Sequence, residues 1–235
     1  MLNVKSLVHA SAGAIAVGAL TLGMTGQAQA LTLIDTSTSW SGSDTIGPFG
    51  QPNTATFGQT LTVPGGDTVL DGFSFLLQQN SASAIQFAGY VMAWDGSKAT
   101  GPILYQSGPQ ATTQWNVFEQ FNFATGGLNL AAGQQYVAFI SASDFPTSGF
   151  GNSGAPFGDP YPGGGLVYQN NGSNFAQLTT SNWNNLEGRD LVFKASFSAP
   201  TSIPTPALLP GLIGMGIAAL RKRKGDQSEV VVAQE

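Results

Sequence analysis

The sequence predicts an all-β protein, an antiparallel β-sandwich of jelly-roll type, with a signal helix at its N-terminus and a single transmembrane helix near its C-terminus. Three observations predict it. Across residues 31–199 the dominant hydrophobic period is two, and no helical period competes with it. Gly, Pro and Asn recur between short apolar runs, with 31 Gly and 13 Pro in 235 residues, so turn chemistry repeats along the chain. An apolar run stands near each end, over residues 10–24 and 208–220. A closed barrel is the alternative arrangement of the same strands.

Residues 1–30 read as a signal peptide. Lys5 supplies a basic start, residues 10–24 form an apolar run of small residues, and Ala28-Gln29-Ala30 is a small-x-small cleavage site. The run is broken by Gly13, Gly18 and Gly23 and is shorter than the roughly 20 residues a span needs. The mature chain is expected to begin at Leu31.

The outer domain, residues 31–199, opens its regular pattern at 54–63. There Ala55, Phe57, Gln59, Leu61 and Val63 alternate with Thr54, Thr56, Gly58, Thr60 and Thr62, the signature of a half-buried antiparallel strand. Pro64-Gly65-Gly66-Asp67 makes a turn, after which Val69, Phe73, Phe75 and Leu77 share a face with Asp71 as the odd member; a hairpin is the expected product. Residues 85–94 are apolar on both sides and end in an Asp95-Gly96 turn, which predicts a central strand. Further strands are expected over 103–106, 115–123, 136–141, 166–169 and 191–197, with Ala131-Ala132-Gly133 as one of the intervening turns. The last strand points Leu191, Phe193, Ala195 and Phe197 inward. Eight or nine short strands without an internal repeat form one domain.

The chain then changes character. Residues 200–206 are a Pro-rich linker, 207–220 an apolar helix, and 221–235 a basic block, Arg221, Lys222, Arg223 and Lys224, followed by an acidic close. A helix over 207–220 reaches only about 21 Å at 1.5 Å per residue, against a hydrocarbon core of roughly 30 Å, and spans with local thinning or with the lysine stems helping. Four consecutive cations are retained on the cytoplasmic side, which places the outer domain outside. A cleaved N-terminal signal demands the same orientation.

The order Pro204, Thr205, Pro206, Ala207, then a short Gly-containing apolar helix, then an Arg-Lys cluster resembles the PEP-CTERM sorting signals of bacteria, specifically the PTPA-CTERM variant of cyanobacterial type. The resemblance covers residues 203 to about 224. It implies recognition by an exosortase-type membrane protease, with the tail removed and the outer domain released or attached elsewhere, in bacteria that make extracellular polysaccharide. Thr205 stands where the parent motif has Glu. The segment 128–144 is similar to outer domains carried by such tails. Pro204 and Pro206 hold their neighbours extended, the shape a protease cleft accepts, and the apolar run sets that segment at the membrane face.

Composition excludes several chemistries. Three cations stand against ten carboxylates in residues 31–203, a net charge of −7, so a nucleic-acid partner is not expected. The single histidine, His9, lies in the signal segment, and there is no cysteine. Ser-His-Asp and Cys-His nucleophiles, zinc sites built on His or Cys, and disulfides are therefore absent from the mature chain. No cofactor and no metal are expected.

The longest region without a regular pattern is 144–165. Loops of this length in compact domains are frequently functional. A glycan site would use an aromatic face for the sugar ring and amide side chains for its hydroxyls, which makes Tyr161, Trp183, Asn184 and Asn185 the candidates. The competing reading has Trp183 plugging the sandwich and the asparagines making turns. Asp144, Asp159 and Asp190 are candidate calcium ligands without the Asp-x-Asp ladder of a dedicated loop, and Asn171-Gly172-Ser173 matches a glycosylation sequon that also reads as a plain turn. Glu119 and Glu187, the glutamates of the outer domain, are the available acids for a glycosidase mechanism. The expectation is an exported, non-enzymatic cell-surface or matrix protein, membrane-anchored at least transiently, with extracellular polysaccharide as its candidate ligand. The alternatives are a carbohydrate-active enzyme using carboxylates and a calcium-dependent adhesin.

Overall fold

A computed structural model of the chain describes residues 31–51 and 53–201. The signal segment with Ala28 and Ala30, the motif Pro204 to Ala207, the helix expected over 207–220 and the basic block 221–224 lie outside the described residues. Among the described residues no helix is long and apolar enough to cross a membrane.

The elements in chain order are β1 (Leu31–Asp35), β2 (Thr45–Phe49), β3 (Thr56–Thr62), β4 (Val69–Gln79), β5 (Gln86–Trp94), β6 (Ala99–Gln106) and β7 (Gln110–Ala111). They continue with β8 (Phe118–Asn129), β9 (Gln135–Ser141), β10 (Gly151–Gly154), β11 (Leu166–Gln169), the short helix α1 (Gln177–Thr180), β12 (Asn184–Asn185) and β13 (Phe193–Ser198). They form two antiparallel sheets. In the first, the long strand β4 carries β8 along one edge and β13 followed by β10 along the other, with β1 beyond β13 and β2 beyond β10. The second runs β12-β11-β3-β9-β5-β6, with the short β7 also on β5.

The sandwich core lies between the sheets. Phe49, Phe57, Phe75, Phe87, Phe193 and Phe197 are fully buried there with Leu61, Leu77 and Ile140. Phe49 stacks on Phe57 at 5.6 Å and meets Phe87 edge-on at 6.0 Å, so aromatic contacts tie the two sheets together. As expected, the last strand points Leu191, Phe193, Ala195 and Phe197 inward, and β11 occupies 166–169.

Four expectations change. Residues 54–63 and 69–77 do not form a hairpin: β3 pairs with β9 and β11, whereas β4 pairs with β8, β13 and β10 in the other sheet. The turn at 64–67 crosses the sandwich, because the apolar faces of the two strands meet across the core and not side by side.

Nor is β3 half-buried. A second apolar cluster covers the outer face of its sheet: Phe175, Leu178 and Trp183 lie over Tyr90, Met92, Val137 and Phe139. Thr56, Gly58 and Thr60, on that outer face, are buried as well, Gly58 directly under Trp183 and Thr60 at the margin of the cover.

The oddity of Asp71 is a β-bulge. Register shifts between Leu70 and Gly72 against β8, so Leu70 replaces Val69 in the core and the phase resumes at Phe73. Finally, 144–165 is not strandless. It contains β10, which fills the first sheet between β4 and β2.

Candidate functional site

The cover over the second sheet is incomplete, and the gap is a concavity on that face. Ridged by turns, it is a trough of about 310 Å³. Close approach of backbone explains its floor: the Thr60 amide of β3 donates to the Gly165 carbonyl at 2.9 Å, and Gly165 carries no side chain to fill the space. One wall is the end of β5 and its turn, Trp94, Gly96 and Ser97; the opposite wall is Asn185 to Gly188. Trp183 closes the covered end and Gln135 lines the trough from β9.

The walls are fixed locally. Asp95 accepts hydrogen bonds from the Ser97 and Lys98 amides at 2.9 Å each and from the Ser97 hydroxyl at 2.8 Å, which closes the turn and holds the Asp95 carboxyl below its ordinary range. The Trp183 amide donates to the Ser97 carbonyl at 2.8 Å, linking the cover to that turn. On the glycine side, Gly164 lies so close to β3 that a Cβ there would stand 1.8 Å from the Thr60 carbonyl oxygen. Within the Gly163-Gly164-Gly165 run, backbone approach thus requires glycine at 164.

A buried polar lock holds this wall from behind. Asp190, fully buried, accepts from the Gln59 amide at 2.6 Å and from the Tyr161 backbone amide at 2.9 Å, while Gln59 accepts from the Leu191 amide at 3.0 Å. Burial pushes the Asp190 carboxyl above its ordinary value, against the lowering effect of those two donors.

The four glycan candidates separate in the fold. Trp183 is only 7 % exposed; its indole N–H donates to the Leu178 carbonyl at 2.8 Å, and it packs edge-on to Phe139 at 5.4 Å and to Trp94 at 5.5 Å. It anchors the cover and presents part of itself to the trough. Tyr161 is half-buried beneath Gly163, its hydroxyl accepting from the Thr62 amide and donating to the Thr62 carbonyl. Burial raises its phenol pKa. Asn184 and Asn185 are exposed on the edge strand β12, opposite Tyr168 and Val167, and of the two Asn185 lines the trough.

Trp94, Ser97 and Gln135 were not among the sequence candidates. The signal that could have found Trp94 is its position as the last residue of a strand, directly before an Asp-Gly turn, where an aromatic side chain reaches the sheet rim.

The other candidates take structural positions. Glu119 accepts from the Thr113 and Gln114 amides at 2.9 and 3.2 Å and from the Thr113 hydroxyl at 2.5 Å. Partial burial raises its pKa, and these hydrogen bonds outweigh that effect and hold it below its ordinary range. Glu187 lies in the wall of the trough, on the other sheet's side of the molecule. Among the described residues no group of three or more His, Cys, Asp and Glu is placed to hold a metal ion. Asn171 is 4 % exposed, its amide donating to the Ser143 hydroxyl and the Asn174 carbonyl while its oxygen accepts from Thr56, so the sequon is folded inward.

A second concavity of about 330 Å³ lies on the outer face of the first sheet, between Leu33, Ser74, Asn122 and Lys194. Lys194 pairs there with Asp35 at 3.0 Å.

No family model matches the chain, and no curated protein matches it. Among solved structures, it is similar to the cysteine protease and lectin-like domains of Cwp84, a surface-layer-associated protein of Clostridium difficile, at 13% identity and a TM-score of 0.42, covering 63% of this chain and 33% of that one. It is also similar to the clostridial cysteine protease Cwp84 after propeptide cleavage, at 12% identity and a TM-score of 0.48, covering 72% of this chain and 40% of that one. The chain thus spans well under half the length of either structure. Likeness at this level assigns it no ligand and no activity, and the present chain holds no cysteine.

Proposed function

We propose that this chain is an exported, non-enzymatic cell-surface or matrix protein. A cleavable signal delivers its β-sandwich, an exosortase-type protease handles its PTPA-CTERM tail, and extracellular polysaccharide is its ligand class. One observation carries the reading: a signal ending at Ala30 and a basic stop at Arg221 to Lys224 demand the same orientation, and the folded strands occupy the interval between them, from Leu31 to Ser198.

The surface chemistry agrees with an outer location. Charged residues are 9% of the chain, cysteine is missing, and the domain is held by an aromatic core without disulfides. The non-enzymatic reading accords with the placement of the two glutamates: Glu119 is committed to a turn, and among the described residues Glu187 is the one carboxylate lining the trough.

The test is a reporter fusion. Alkaline phosphatase, active only after oxidative folding outside the cytoplasm, is joined after Ser198 in the native host. The proposal expects full activity that disappears when residues 1–30 are deleted. Activity confined to a cytoplasmic reporter at the same site would overturn it.

A further inference from the structure

We infer that the trough on the outer face of the second sheet binds a short stretch of an uncharged glycan, with Trp94 as the platform for a sugar ring and Ser97, Gln135 and Asn185 as partners for its hydroxyls. The inference rests on the polysaccharide reading above and adds the site, the charge class of the ligand and the residues that take it.

Four observations on this face converge. The first is volume: about 310 Å³ lies at the lower end of the range of roughly 300–1,000 Å³ typical of ligand sites. The second is the pair of indoles at one corner. Trp94 and Trp183 meet at 84°, and because Trp183 is buried against Phe139, the half-buried Trp94 is the indole left available to a ligand. A pyranose ring offers an apolar face of C–H groups and a rim of hydroxyls, which matches an aromatic surface bordered by neutral hydrogen-bonding groups.

The third observation is the character of that border. Gln135 and Asn185 supply two primary amides that both donate and accept, as sugar hydroxyls do, and Ser97, whose hydroxyl proton goes to Asp95, supplies an acceptor oxygen. Among the described residues Glu187 is the only charged one lining the trough, and no Lys or Arg lines it, so a uronate, sulfate or phosphate would meet a carboxylate and find no cation there. The fourth is rigidity. Asp95 clamps one wall, the Asp190–Gln59 lock holds the Tyr161 segment behind the other, and Gly164 leaves no room for a side chain on the floor. A preformed site avoids the ordering cost of assembling it on binding.

The experiment uses the mature protein with a panel of soluble glycans: dextran, laminarin and galactomannan as neutral polymers, alginate and heparin as anionic ones. Binding is read by retardation in affinity gels and by the change in tryptophan fluorescence. Two variants address the site from opposite directions. Trp94→Ala removes the platform, and Asn185→Trp, at an exposed edge-strand position, fills the trough; melting curves check that each is folded. At least one neutral polymer is expected to bind, with affinity falling about tenfold or more in both variants. Neutral binding that survives in both variants would overturn the trough as the site while leaving the polysaccharide reading intact. Binding restricted to the anionic polymers would overturn the charge class. Failure of the unaltered protein to bind any member of the panel would remove the site and the polysaccharide reading together.

Discussion

Leu31 and Ser198 face each other across the antiparallel ladder of β1 and β13. The residue expected to become the mature N-terminus is therefore paired with the last residue of the final strand, at one edge of one sheet. Both ends of the described strands thus lie side by side.

The junction is secured at Thr36, directly after β1. Its hydroxyl donates to the Leu191 carbonyl at 2.6 Å and accepts from the Phe193 amide at 2.8 Å, and its own amide donates to the Phe193 carbonyl at 3.0 Å. Thr36→Val keeps the shape and strips a buried amide of this acceptor. The expected loss is about 1–3 kcal/mol of stability, measured as a lower urea midpoint with an unchanged slope.

Gly58 is the point where the cover touches the sheet. A Cβ there would lie 2.9 Å from Val137 Cγ2, 3.1 Å from Phe139 Cβ and 3.2 Å from Trp183 Cζ3. Gly58→Ala should destabilise by about 1–3 kcal/mol through overpacking, and near-ultraviolet circular dichroism should report altered Trp183 packing.

The pH dependence follows from the direction of the shifts. Asp35 is lowered, because hydrogen bonds from Ser37 and Lys194 outweigh the opposing effect of burial, and its contribution is lost as pH falls through its folded value. Asp190 has the opposite sign. Its folded value lies above the ordinary 3.8, so the native state holds the proton more tightly than the unfolded chain and stability declines as pH rises from about 3.8 through the raised value. No histidine lies in the described residues to add a transition near neutrality. Melting temperature should fall between pH 4 and neutrality, and Asp190→Asn, though less stable overall because it sets an amide against a donor, should abolish that slope.

Glu119 distinguishes a structural carboxylate from a reactive one. As the acceptor for Thr113 and Gln114 it braces the turn before β8, so Glu119→Gln should lower stability by about 1 kcal/mol and leave glycan binding unchanged. Sugar release by the unaltered protein that disappears in this variant would support a carboxylate enzyme instead.

Much of the fold was legible because sandwich strands alternate by necessity. The 191–197 alternation and the 166–169 run correspond to β13 and β11, and 85–94 reads correctly as a strand covered on both faces. Periodicity does not name a partner, however, and that is why 54–63 and 69–77 read as a hairpin although their turn crosses between sheets. The strand β10, Gly151-Asn152-Ser153-Gly154, was invisible for a different reason. It contributes backbone and almost no side chain, with a Cβ on Gly151 falling 1.9 Å from the Gln78 carbonyl oxygen, so close approach selects glycine and erases the hydrophobic pattern. Of the four residues that residue type offers as glycan candidates, Trp183 and Asn185 line the trough, but which tryptophan stays accessible depends on the cover formed by α1 and its flanks, a tertiary fact that no local pattern encodes.

The two ends of the polypeptide decide whether it is exported and processed, and intact-mass and terminal-peptide spectrometry of the protein from its native host reads both together. The expected product begins at Leu31 and lacks the basic block Arg221 to Lys224. A product that retains Met1, or one recovered intact from the cytosol, would contradict it.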